Sequence, residues 1–578
     1  MMKHEALVVT LLAVSLVMQG GFYTYGYCFT GVCVAILLAF VLGRKKVLHA
    51  PTGMLAWSMT GVGALVLTQI IFALDSGMAF YGVLRMAVLF LWVWCCLQYT
   101  PEQRNDFLQK IPVLAIVMLV ICVCTLPFGA LRAMVFQAQR LCGFFQYANT
   151  CALFLLIAMV ILVEQLRQET ESFSWLKWSM LLIVFAGICM TGSRIAMVLA
   201  LLVLFGHAVQ SRKLRVPLWI LLLLIGILGA IYVAVTGSFQ NFGRITTIFS
   251  RQSTLWGRLL YMQDAWKLIV RYPFGLGFMG YHQIQTSVQT GVYSTVFLHN
   301  DWMQIFVDEG WLAGMICCAV VGWNLFLGKM SRLQRKIAIL VVGYSFVDFH
   351  LQFCSICMIL LLCFDYEGLE AVGKRENQQA GKEKVRAGKR KERRREQQVE
   401  CVLFACVLLY FGMAQLFQVL GLSKQAYDMY EGDTLAFEQL MDQETDREQA
   451  VALAEKRLQI NAYCANAWNI LAYDAWLDGD YPRAFAYMKE VISHDRYRQE
   501  AYEVMKQWIA QASQQAGQNQ DMTLQEHCRQ AEEELSDFLD TVKKETGALA
   551  WKLRDRPFFA EELENNLHYR RSNVIICL

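Results

Sequence analysis

Charge is what this 578-residue chain has least of: Asp, Glu, Lys and Arg together make up 17% of it, against 56% hydrophobic residues. A water-soluble surface of this size would not tolerate that balance, so a soluble globular protein is excluded. Metal and disulfide signatures are missing too. No two C-x-x-C pairs stand at finger spacing, and most of the 19 cysteines fall in apolar runs, as with Cys95 and Cys96 or Cys317 and Cys318. There Cys behaves as a small hydrophobe, and the remaining Cys464, Cys528 and Cys577 are scattered, so no bound metal is expected. The terminal IICL is not a prenylation signal, because its Cys stands one place too late.

What is present is a series of apolar runs near the ~20 residues that cross a bilayer. They fall at roughly 5–19, 22–42, 53–74, 78–98, 111–130, 143–163, 175–191, 195–210, 216–236, 311–328, 337–348, 351–365 and 400–421. The expected fold is therefore all-α: a polytopic membrane helical bundle of about 12 core spans with one extra span. The first run lacks a small-residue cleavage site before the next and is expected to be retained. Lys3, Arg44 to Lys46, Arg104 to Lys110, Arg167 to Lys177, Arg212 to Arg215 and Lys329 to Lys336 fall at every second connection, which assigns those connections and the N-terminus to the cytoplasm. The alternate connections, and the polar segment 237–310, are then external.

The chain divides accordingly into a membrane domain at 1–366, a basic linker at 367–399, an additional span at 400–421 and a polar domain at 422–578. The run Lys374 to Gln398 would resist translocation, which marks the linker as cytoplasmic, and its charge suits anionic lipid rather than nucleic acid. One further span carries the polar domain outside. Within it, Ala467 to Asp495 resembles a tetratricopeptide repeat: Trp468, Leu471, Ala472, Gly479, Tyr481, Ala484, Phe485 and Ile492 occupy its packing positions. One repeat cannot bury its own apolar face, so an α-solenoid of about three repeats is expected, offering a groove to a protein partner. On that expectation, cutting the chain after Gln398 leaves the chemistry of the membrane domain intact. The bland alternative is that the domain packs on the external loop and holds it in place.

The polar segment carries the chemistry. Apolar residues at 255, 259, 262, 266 and 269 predict a helix with one buried face, with Arg258 at the margin and Asp264, Lys267 and Arg271 on the opposite side. GLGFMG, Gly275 to Gly280, matches a dinucleotide fingerprint only formally, because no strand precedes it; Pro273 and three Gly there mark a helix stop and turn. His299 stands beside Asn300 and Asp301, which could fix its tautomer, and an imidazole there could take a proton from a hydroxyl. Asp308 and Glu309 are the fallback bases. Arg194 and Arg140 each begin a span after an external turn. Arg85 lies inside a span, where an arginine costs roughly 2.5–3.5 kcal/mol and so must face a polar cavity or partner. Several arginines with few carboxylates at one membrane face amount to an anion site suited to phosphate.

TGSR at a span start, GR-x7-W ahead of P-F-G-L-G, and L-H-N-D ahead of D-E-G together resemble the O-antigen ligase and polymerase family (Wzy/ligase type) over about residues 5–365. The resemblance implies a multi-pass protein of the bacterial plasma membrane. It also implies a glycosyltransferase that moves a glycan from an undecaprenyl-pyrophosphate-linked donor to a glycan or lipid-glycan acceptor hydroxyl outside the cell. The family's motif residues fall on Arg194, Arg258 and His299 as catalytic groups; Arg85, Arg140, Asn300 and Asp301 are the expected substrate-binding groups. No Asp-x-Asp pair occurs in the loops between spans, so arginine is expected where other glycosyltransferases use a metal, and no cofactor is expected. Two other readings stand beside it: a transporter or flippase of the same lipid-linked glycan, which should show internal repeats with broken helices, and a scaffold for envelope polysaccharide assembly.

Overall fold

The computed structural model describes residues 2–44, 48–169, 174–210, 216–220, 223, 226–227, 254–371, 387–553 and 555–559. Most of the expected span at 216–236, the start of the loop up to residue 253, residues 372–386 of the basic linker, and Cys577 lie outside them. Among the described residues, seven helices are long and apolar enough to cross a membrane: Thr24–Leu42, Gly53–Phe72, Ser76–Cys96, Pro101–Cys124, Ala148–Gln168, Asp301–Phe326 and Arg395–Val419. Ala6–Val17, Trp175–Thr191 and Arg194–Gln210 are shorter apolar helices. This is an all-α membrane protein apart from one ribbon, in which Phe136–Gln137 pairs antiparallel with Arg140–Leu141.

Ala148–Gln168 is the central helix. It is apolar all round from Cys151 to Val163, nearly all of it is buried, and it packs against Ile111–Cys124, Trp175–Thr191, Arg194–Gln210 and Arg332–Tyr344. The outer helices bury one side only, leaving large apolar groups such as Ile71, Val120 and Phe326 exposed. Contiguous exposed apolar surface of this kind belongs to lipid contact. The long helix Ala387–Val419 lies along Thr24–Arg44, so the additional span joins the bundle rather than standing apart.

Two expected spans take a different form. Where 337–348 and 351–365 were expected, the structure has helices of 13 and 9 residues, Arg332–Tyr344 and Cys354–Leu362, joined by a loop and the short turn His350–Gln352. Non-helical backbone within an apolar bundle is stable only where its polar groups are covered and paired. Here it is covered: Ser345, Asp348 and His350 are fully buried.

The glycine-rich run also finds its reason. The Asp301–Phe326 helix breaks at Gly310, whose φ is 81°, and the P-F-G-L-G stretch lies against the break. Leu276 N donates to Val307 O, Gly277 N to Asp308 O and Trp311 N to Pro273 O. A Cβ on Gly275 would stand 2.3 Å from Asp308 O and one on Gly310 2.5 Å from Phe274 C, so the two backbones meet only because both residues are glycine.

The C-terminal helices form antiparallel pairs, with Ala465–Leu477 turning at Gly479 (φ 77°) into Tyr481–His494, followed by Gln499–Asn519 and Met522–Glu545. They share an apolar core that includes Phe485, Met488, Tyr502 and Trp508.

Candidate functional site

At the end of the bundle that faces the C-terminal helices, three polar segments converge on one carboxylate. The first is the predicted helix, Thr254–Arg271, which carries Arg258 on its second turn. The second is the stretch ending at His299, which immediately precedes the N-cap of Asp301–Phe326. The third is the buried loop after Tyr344, which brings Asp348 between them.

Asp348 is wholly buried and accepts five hydrogen bonds. Its Oδ1 takes His299 Nδ1 at 2.9 Å, Tyr147 Oη at 2.8 Å and the Phe349 amide at 3.1 Å. Its Oδ2 takes Arg258 Nη2 at 3.0 Å and Asn149 Nδ2 at 2.6 Å. Burial pushes its pKa up, but the His299 hydrogen bond and the Arg258 charge outweigh burial and hold it well below the usual carboxylate range. An ionised Asp348 has no proton to give, so His299 Nδ1 must be the donor. In the neutral imidazole that selects the tautomer whose Nε2 carries the lone pair. Phe349 packs against the imidazole at 5.1 Å between ring centroids, and the side chain keeps 20% exposure. Its neighbour His350 is different: burial lowers its pKa to about 4, its Nδ1 meets Thr150 Oγ1 at 3.0 Å, and it stays neutral.

Arg258 also donates through Nη1 to Val347 O at 2.6 Å and keeps 15% exposure. Two of its five N–H groups are thus used to clamp the loop, and no other hydrogen bond to it is made by the described residues. Arg140 joins the cluster through Asn149, donating to Asn149 Oδ1 at 2.9 Å and through Nε to Thr191 O at 2.7 Å. It stands in the two-stranded ribbon rather than at a span start, and no carboxylate among the described residues pairs with it. Arg194 opens its helix three residues past Thr191, where Ser193 Oγ meets Tyr344 Oη at 2.7 Å, which sets it on the same side as Arg140. Two expected cations are therefore tied to a carboxylate that was not expected to be central, Arg258 directly and Arg140 through Asn149, and Arg194 starts a helix next to Ser193.

The other expected residues play different parts. Asn300 is a helix cap, its side chain accepting from Met303 N. Asp301 is wholly buried and takes the Leu351 amide at 2.8 Å, tying the start of its helix to the Asp348 loop. Arg85 donates to Phe22 O and to Gln352 O and Oε1, with its guanidinium over the Tyr27 and Phe278 rings; Asp308 and Glu309 line the cavity beside it. None of these hydrogen bonds reaches His299 or Arg258. Asp264, expected on an exposed face, is buried instead, because it accepts from Thr290 N, Thr290 Oγ1 and Tyr293 Oη at 2.8–3.0 Å.

Residues 179–318 match the O-antigen ligase family model. The matched stretch contains Arg194, Arg258 and His299, and the match supports a ligase or polymerase type of role in cell-surface polysaccharide. Asp348, Tyr147, Asn149 and Arg140 lie outside it. No curated protein and no solved structure matches the chain.

Sequence reasoning missed Asp348, and a signal for it was present. It is the only carboxylate between Glu309 and Asp365, an isolated acid in an apolar stretch. Such a residue has to be paired. Tyr147 and Asn149 had no signal of their own, since they matter only through the fold.

The C-terminal helices touch this site's supports directly. Asn461 Nδ2 donates to Gln283 Oε1 at 2.8 Å and Leu74 O at 3.1 Å, and Thr286 Oγ1 donates to His494 O at 2.6 Å. Gly547 N donates to Thr290 O at 2.9 Å, and the Lys552 ammonium sits 4.1 Å over the Trp256 ring. Thr290 is the residue that Asp264 holds, on the same helix as Arg258. The packing favours the alternative in which the domain braces the segment, over a domain that only recruits partners.

Proposed function

We propose that this protein transfers or polymerises a cell-surface polysaccharide on the external face of the bacterial plasma membrane. The donor is a glycan on undecaprenyl pyrophosphate and the acceptor is a glycan or lipid-glycan hydroxyl. The observation that carries the reading is the His299–Asp348 hydrogen bond inside an arginine cluster, within and beside the stretch that matches the O-antigen ligase family. Asp348 orients His299 so that Nε2 takes the acceptor proton as its oxygen attacks the anomeric carbon. The anomeric C–O bond to pyrophosphate breaks and its electron pair leaves with the phosphate. Arg258, Arg194 and Arg140 stabilise that growing charge more than they stabilise the ground state, in the role a divalent cation fills elsewhere. Asn300 and Asp301 act by holding His299 and the Asp348 loop together. The C-terminal helix pairs are tetratricopeptide-like and leave a face for a protein partner.

The test is an assay of the purified full-length protein with undecaprenyl-pyrophosphate glycan, with and without candidate acceptors. Release of undecaprenyl pyrophosphate coupled to glycan transfer is expected. Movement of the donor across a vesicle membrane without any transfer would establish the transporter reading instead.

Two further outcomes are expected. A reporter fused after Gln398 reads cytoplasmic and one after Lys424 external, as the loop charges require; a cytoplasmic signal after Lys424 would put the arginine cluster on the wrong side for this donor. Arg258→Lys and Arg194→Lys each weaken donor binding and turnover by about 10-fold or more, because a point charge does not reproduce the bidentate fork. Unchanged kinetics in both would remove arginine from phosphate recognition.

A further inference from the structure

A second site lies in the bundle, apart from His299. A partly open cavity of about 270 Å³ is lined by the helices Gly53–Phe72, Ser76–Cys96, Asp301–Phe326 and Cys354–Leu362. Along Ser76–Cys96 its wall runs from Gly82 to Val93, roughly 17 Å at 1.5 Å per residue, so it is long rather than round. Most of the wall is apolar, with Leu89, Phe90, Ile316, Val320 and Leu361 along it. The charged residues in the lining are Arg85, Asp308 and Glu309.

Hydrogen bonding within that group decides what could bind. Arg85 is 7% exposed and its terminal nitrogens are taken by Phe22 O and by Gln352 O and Oε1, while two aromatic rings cover its faces. Asp308 is 6% exposed and takes the Gln304 amide on both oxygens, at 2.8 and 2.9 Å. Glu309 Oε2 is buried and accepts no hydrogen bond from the described residues. The unused capacity is that of an acceptor. Two carboxyl groups share the lining with one guanidinium that is already engaged, so this is a poor seat for the phosphate that Arg85 was expected to bind, and a good one for a donor.

We propose that this cavity binds a single-chain amphiphile whose hydrocarbon chain lies along the apolar wall and whose hydroxyl or ammonium group donates to Glu309. The site does not depend on the transfer reaction, and its test uses no glycan. Full-length protein in lipid nanodiscs is labelled with a C12 alcohol carrying a diazirine on its chain. Unlabelled dodecanol, dodecylamine, dodecyl phosphate and dodecane then compete, and adducts are mapped by peptide mass spectrometry. Adducts are expected on segments 82–93 and 302–321. Dodecanol or dodecylamine should compete roughly tenfold better than dodecyl phosphate or dodecane, the ratio of one hydrogen bond to a carboxylate.

Glu309→Gln separates the two head groups. The amide keeps an acceptor oxygen but no charge, so an alcohol preference survives and an ammonium preference is lost. Ile316→Trp, which fills the cavity, should remove labelling by the diazirine alcohol. If all four competitors act equally on the wild-type protein, the cavity holds bilayer chains without selection and the proposal fails. A preference for dodecyl phosphate would overturn it in favour of an anion site at Arg85.

Discussion

His299→Ala is expected to lower glycan transfer by about 10²–10⁴-fold while donor binding stays within a few-fold of wild type, because a general base acts on the acceptor proton and not on the pyrophosphate. Asp348→Asn should come close to it. An amide in place of the carboxylate can donate to Nδ1, which would turn the imidazole to the tautomer whose Nε2 carries the proton and cannot accept another. Its effect should fall on kcat rather than on KM, which separates it from a loss of substrate contacts. Asp348→Ala is a poorer probe: it strips a buried acceptor from Arg258 and His299 at once, a change that costs on the order of 3–5 kcal/mol of stability for a buried pair. Thermal stability of the Asn variant, measured alongside, checks that the fold survives. Full turnover in folded His299→Ala would reject it as the base. Asp308 and Glu309 would not inherit the role easily, since they line the Arg85 cavity and not the arginine cluster.

A chain ending at Gln398 is expected to lose transfer to every acceptor, soluble ones included, by about 10²-fold or more, the scale of a misplacement near 1 Å in a reacting geometry. This reverses the expectation drawn from the repeat pattern alone. Stacked helix pairs suggest a recruiting surface, but here Asn461, His494, Gly547 and Lys552 hold the segment from Trp256 to Thr290, on which the Arg258 helix and the approach to His299 depend. In the full chain, the paired change Asn461→Ala with Thr286→Val should raise hydrogen exchange over residues 283–299 and reduce turnover in step. A stably folded truncation that still works at the wild-type rate on a soluble acceptor would return the domain to recruitment only.

How far the sequence could be read depends on the kind of interaction involved. The predicted helix around Arg258, from Leu255 to Arg271, is present as Thr254–Arg271 because its apolar spacing is local and strong. The helix–turn–helix at 467–495 is present for the same reason, with Gly479 at the turn. Asp264 went the other way. Helical periodicity placed it on the open face, and only the arrival of Thr290 and Tyr293 from a segment about 26 residues on gave it the donors that make burial tolerable. Arg85 was rightly read as needing a partner, because a charge inside a span must have one. Which protein partners it has, the Phe22 and Gln352 carbonyls and two ring faces, is set by segments far away in sequence.

The sequence by itself determined that this is a helical membrane protein, since hydropathy and run length are summed locally and need no fold. It also determined which arginines and which histidine to suspect, because polar residues in an apolar chain stand out by composition alone. Only the tertiary structure decided which partners they meet. Asp348 lies 90 residues beyond Arg258 and 49 beyond His299, and Asn149 lies 199 before it, so nothing local records that they meet. They meet because two short helices leave a buried loop between them, and a buried carboxylate is stable there only with the donors that the rest of the bundle brings to it.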